Sequence, residues 1–122
     1  MSSEPAFEIP VRPECEYHDG GITRSGGTVF SLVPADGCVG ERLGRVLDRE
    51  RYTAGDWFDL PSPVYLVHDR ELGTVFRVVG YDDRVELHVT TTTESRGLCA
   101  FYDALESESD VPWTVDREAT EA

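Results

Sequence analysis

The sequence predicts an α+β fold: a two-layer sandwich in which a mostly antiparallel sheet of about five strands carries two helices on one face. Three observations lead to it. Between residues 64 and 92, short runs rich in valine and leucine are separated by the turn sequences Arg70-Glu71-Leu72-Gly73 and Asp82-Asp83, which reads as a three-strand meander. One segment before the meander and one after it carry apolar residues at helical spacing instead. The resulting order of strand, helix, three strands, helix, strand implies two layers, with both helices over one sheet face.

The first strand is Thr28 to Val33, closed by Pro34. Asp36 is then placed to cap a helix, since its carboxylate can accept from the orphan amides of a first turn. Val39, Leu43, Val46 and Leu47 follow at i, i+4, i+7 and i+8 and form its apolar stripe, which Gly40 and Gly44 interrupt at a cost in helix propensity. Around Gly55 the pattern turns irregular and aromatic (Tyr52, Trp57, Phe58, Pro61, Pro63), so a connector over the core edge is expected. The meander strands are Val64 to Val67, Thr74 to Gly80 and Arg84 to Thr92. In the last, Val85, Leu87 and Val89 alternate with Glu86, His88 and Thr90, as in a half-buried antiparallel strand. A helix from Ser95 to Ser107 buries Leu98, Phe101, Tyr102 and Leu105, with Cys99 beside that face. Val111 to Val115, containing Trp113, adds a final strand.

Three regions follow. Residues 1–27 form an extended arm punctuated by Pro5, Pro10 and Pro13, in which Phe7, Ile9 and Val11 could make a short strand. Pro10, lacking a donor, confines that strand to a sheet edge. Residues 28–115 form a single α+β domain, and 116–122 an acidic tail. A chain of this mass buries roughly two thirds of its extended surface, enough for one core.

Composition speaks of solvent more than of task. The chain has no lysine, 24 acidic residues, 11 arginines and a net charge of −13. Such charge repels itself in dilute buffer, and molar salt, with a Debye length of about 3 Å, screens that repulsion. The acid-rich, lysine-free, threonine- and valine-rich composition resembles that of cytoplasmic proteins of salt-in halophilic archaea. This resemblance implies a habitat and no functional family. No apolar run approaches the ~20 residues of a membrane span and no signal region opens the chain, so a soluble cytoplasmic protein without a membrane partner is expected. The acidity argues against nucleic acid, which needs a basic footprint.

Candidate chemistry is sparse, and no cofactor signature is present. Cys15 and His18 have C-x-x-H spacing, which would let two ligands reach one metal from a single turn, yet Cys38, Cys99, His68 and His88 offer no second close pair. His68 and His88 each adjoin a carboxylate, Asp69 and Glu86, the minimum for acid–base work, but no activated nucleophile accompanies them. The Gly37, Gly40 and Gly44 run matches neither dinucleotide-binding nor P-loop spacing. Arg42, Arg45 and Arg49 share one face of the first helix and are the sole cluster of positive charge. They are candidates for contact with an anion, an acidic partner or a second subunit, unless Glu41, Asp48 and Glu50 neutralise them. Trp57 in the aromatic connector is the companion candidate, because tryptophan and arginine dominate interface hot spots. The sequence therefore favours a small non-enzymatic binding or interaction domain of a halophile, with a protein partner or a homo-oligomer. The alternative is a metal-binding protein or small enzyme using His68 and His88, or Cys15 and His18.

Overall fold

The computed structural model describes residues 7–19, 21–58 and 64–120. In chain order the elements are β1 (Glu14–His18), β2 (Gly21–Ser25), β3 (Gly27–Pro34), α1 (Gly40–Leu47), β4 (Tyr52–Phe58), β5 (Val64–Asp69), β6 (Thr74–Gly80), β7 (Val85–Val89), α2 (Ser95–Ser107) and β8 (Trp113–Thr120). β1 and β2 pair with each other, and the other six strands form one antiparallel sheet in the order β4-β5-β6-β7-β3-β8.

Side-chain alternation decides which face of the sheet is covered. Phe30 and Leu32 of β3, Val67 of β5, Phe76 and Val78 of β6, and Val85, Leu87 and Val89 of β7 are buried in one cluster. The same cluster takes Leu43 and Val46 of α1 and Leu98, Phe101 and Leu105 of α2, so both helices pack on that face. This is the α+β sandwich expected, with six strands in place of about five.

The extra strand is β4, which lies where an irregular connector was expected. Thr53, Ala54 and Gly55 give no alternation to read, and alanine and glycine are poor strand formers. Pairing with β5 from Tyr52↔Asp69 to Asp56↔Tyr65 imposes the strand from outside. Tyr52 turns inward and meets the Phe101 ring edge-on at 5.4 Å.

The two ends of the chain also differ from expectation. Residues 7–13 carry no strand, yet Phe7 is buried between Phe30 and Tyr102, at 5.1 and 5.7 Å between ring centroids. The Thr28 hydroxyl donates to the Val11 carbonyl at 2.6 Å and fixes this segment across the core. Of the expected tail, residues 116–120 belong to β8, which pairs with β3 along its whole length. A charged sequence suits it because β8 is an edge strand, and edge charge deters pairing with other chains. Asp36, expected as a helix cap, lies four residues before α1. Gly37 has a φ of 67°, which breaks any helix there, and the Asp36 carboxylate instead accepts from the Cys38 amide at 3.1 Å.

A polar lock anchors α2. The Thr93 hydroxyl donates to the Val75 carbonyl and accepts from the Thr90 amide, at 2.5 and 2.7 Å, while the Glu94 amide donates to Thr74 Oγ1 at 2.8 Å. The threonine run that ends β7 is thus a joint between sheet and helix.

Tyr52 carries a testable oddity. Its hydroxyl is buried without a hydrogen-bond partner among the described residues, and burial pushes its phenol from 10.0 up to about 12. The folded state keeps that proton where the unfolded chain releases it, so stability falls as pH rises from 10 to 12. Tyr52→Phe should raise stability at neutral pH by about 1 kcal/mol, because an unbonded buried hydroxyl is a net cost. It should also make the alkaline loss shallower, with the remainder due to Tyr102, which burial likewise pushes up to about 12. Thermal unfolding of both proteins at pH 7 and in the alkaline range checks both statements; an unchanged alkaline slope would contradict the second.

Candidate functional site

The face of the sheet opposite the helices is built from the residues that alternate with the core. On β3, β5 and β6 it presents Val29, Val33, Val64, Leu66, Val75 and Val79, all half-buried and none part of the core cluster. Polar side chains run between them. Val79 lies opposite Glu86 and Arg77 opposite His88 across β6 and β7, and Ser31 and Val29 flank the same two residues across β3. Glu86 is the hub of this strip: it binds His88 Nε2 at 3.1 Å and Arg84 Nε at 3.4 Å. The Arg84 guanidinium stacks 3.8 Å from the Tyr81 ring centroid.

The charge of this face sets it apart. Glu86 is the one carboxylate at the outward positions of β3, β5, β6 and β7, and the β8 row beside β3 adds Asp116 and Glu118 at the rim, in a chain with 24 acids among 122 residues. The face therefore combines rows of half-buried valine and leucine on β3, β5 and β6 with one charged strip of Arg77, Arg84, Glu86 and His88. Sequence reading missed it because each valine is an ordinary strand former; only the register assembles them.

The arginine cluster has a different fate. Arg42 donates to both Asp36 oxygens, at 2.8 and 2.7 Å, and to the Cys38 carbonyl at 2.8 Å. These hydrogen bonds hold the Asp36 carboxyl below its ordinary value. Arg45 pairs with Glu41 at 3.4 Å on the exposed surface, where such a pair stabilises by only a few tenths of a kcal/mol. Arg49 lies beyond the end of α1, so the three do not share one helix. It donates to the Ser107 hydroxyl at 3.0 Å and lies 4.0 Å from Glu108. The neutralising acids are therefore Asp36, Glu41 and Glu108, whereas Asp48 and Glu50 make no such pair among the described residues. A groove of about 570 Å³ runs beside the N-terminus of α1, with Cys38 exposed at its wall. Arg42 and Arg45 line it together with Glu41, Asp82, Glu108 and Asp110, so carboxylates outnumber guanidiniums and an anion gains little there.

The histidines share the open face without converging. His68 on β5 and His88 on β7 have β6 between them and stand opposite its residues 75 and 77, a separation of two strand spacings and two residues or about 12 Å. The His68–Asp69 pairing is split by the strand: His68 is exposed, while Asp69 points into the core and is fully buried. Glu86 and His88 do meet, as above. Cys15 and His18 lie on β1, a strand and not a turn, and their side chains are outside the described residues, as is that of Trp57 on β4. Among the described residues no group of three or more histidines, cysteines and carboxylates could hold a metal ion. No helix among them is long and apolar enough to cross a membrane. No protein-family model, curated protein or solved structure matches the chain.

Proposed function

We propose that this chain is a non-enzymatic interaction domain of a salt-in halophile's cytoplasm, and that it binds a protein partner with the open face of its sheet. One observation carries the reading: an acidic chain lines β3, β5 and β6 of that face with half-buried valine and leucine and places its carboxylates there only on the neighbouring strands, Glu86 on β7 and Asp116 and Glu118 on β8. In molar salt, where charge is screened to about 3 Å, apolar burial is the interaction left to drive association. The Arg84–Glu86–His88 strip supplies directional contacts within the patch, and the sheet beneath supplies a rigid platform. Arg42, Arg45 and Arg49 take a structural part, since each is already engaged within the fold.

Covalent footprinting tests the surface directly. A photoactivated carbene reagent applied to the protein in molar KCl should label Leu66, Val75 and Val79, and addition of extract from the native cell should protect them several-fold. Labelling at the exposed flank of α1, around Arg45, should stay unchanged. Protection confined to the α1 flank would overturn the assignment.

A further inference from the structure

We propose that the chain forms a symmetric homodimer by pairing β4 antiparallel with the β4 of a second copy. The two edges of the main sheet are not alike. β8 exposes Asp116, Arg117 and Glu118 in succession, and pairing it with its own copy about Arg117 sets Asp116 opposite Glu118, like charge against like. β4 exposes Thr53, Ala54 and Gly55, three small uncharged residues without a bulge or proline among them. Its register shift falls later, between Asp56 and Phe58.

Hydrogen-bond parity shows what this edge offers. The Arg70 amide donates to the Arg51 carbonyl at 2.7 Å, so residues 51, 53 and 55 exchange bonds with the β5 side. Residues 52, 54 and 56 therefore direct their backbone groups away from the sheet. The Tyr52 amide is taken by the Arg49 carbonyl at 3.0 Å. What remains without a partner among the described residues is the Tyr52 carbonyl and both backbone groups of Ala54 and Asp56. An antiparallel ladder centred on Ala54 uses this set: Ala54 exchanges two bonds with Ala54 of the second copy, and each Asp56 amide donates to the opposite Tyr52 carbonyl. Thr53 then stands across from Gly55, and Asp56 across from Tyr52, so no like charges meet. The two-fold axis of such a pairing is perpendicular to the sheet, which leaves the helices of both copies on one side and merges the two open faces into one surface. Trp57, the aromatic candidate from the sequence, follows on the same strand one residue past this ladder.

Sedimentation equilibrium in molar KCl, from micromolar to millimolar chain, tests the pairing. The mass should rise with concentration from 13.6 kDa toward twice that value. Ala54→Pro removes only an amide that faces away from β5, so the variant should fold and stay at 13.6 kDa throughout. Hydrogen exchange on the unmodified protein gives an answer independent of that variant's folding. Protection of the Ala54 amide should increase at least tenfold across the concentration range, while the Thr53 and Gly55 amides stay protected at every concentration. A chain that remains monomeric, an Ala54→Pro variant that still dimerises, or an Ala54 amide indifferent to concentration would each refute the proposal.

Discussion

Gly97→Ala should destabilise the protein by about 2 kcal/mol, although alanine is the better helix former by roughly 1 kcal/mol. A Cβ at position 97 would fall on the Thr74 Cγ2 methyl, and it would also lie 3.2 Å from Thr74 Cβ. Thr74 is 1% exposed and its Oγ1 accepts from the Glu94 amide, so rotating the methyl away breaks the bond that anchors the start of α2. The helix must then lift from β6, and overpacking of this kind typically costs 1–3 kcal/mol or more. A second substitution makes the cause separable. Thr74→Ser deletes the methyl and keeps the hydroxyl, so Gly97→Ala combined with Thr74→Ser should recover most of the loss. Urea midpoints of the two single variants and the double variant give the coupling energy. If the double variant is no more stable than Gly97→Ala alone, the steric account is wrong.

Asp69 has the second large effect. Its carboxylate is fully buried at the end of β5, where it accepts from Arg51 Nη2 at 2.9 Å, Arg51 Nε at 3.3 Å, and the amides of Glu71 and Leu72 at 3.0 and 3.2 Å. Four donors converge on two oxygens, so Asp69→Ala strands all of them and should cost about 3 kcal/mol. Arg51→Gln should cost less, because Arg51 reaches solvent and the two amide bonds survive. Chemical denaturation of both variants checks the order. Equal losses would mean that the ion pair, and not the turn built around Asp69, holds β5 to β6.

Periodicity carried most of the fold. The helical stripe from Leu98 to Leu105 located α2 with its limits, and the alternation of Val85, Leu87 and Val89 located β7 with its buried face. Elements whose identity is imposed from outside were not legible. β4 owes its extended form to β5, residues 116–120 owe theirs to β3, and Phe7 reaches the core only because Thr28 pins the chain beside it. The same limit governed function. Arg42, Arg45 and Arg49 stood out by rarity, yet rarity does not say that Asp36 lies within reach of Arg42. Conversely Val29, Leu66, Val75 and Val79 come from three separate strands and become one surface only through sheet register. His68 and His88 looked alike in sequence because each adjoins a carboxylate. The strand's two-residue period separates the first from Asp69 and joins the second to Glu86.

The missing lysines and the excess of acid describe a surface that repels its own kind except where acid is withheld. The valine and leucine rows of the open sheet face and the Thr53–Gly55 edge of β4 are two such places, and that is why we propose association there. The most direct measurement is the amount of partner retained from native extract in molar KCl by two immobilised variants. Leu66→Glu puts a carboxylate in the middle of the open face, opposite Arg77, where the sheet tolerates it. Arg45→Gln combined with Arg49→Gln alters the helix side instead. If the open face binds the partner, the first variant loses it by tenfold or more while the second keeps the wild-type amount. Retention by Leu66→Glu with loss from the arginine variant would contradict it.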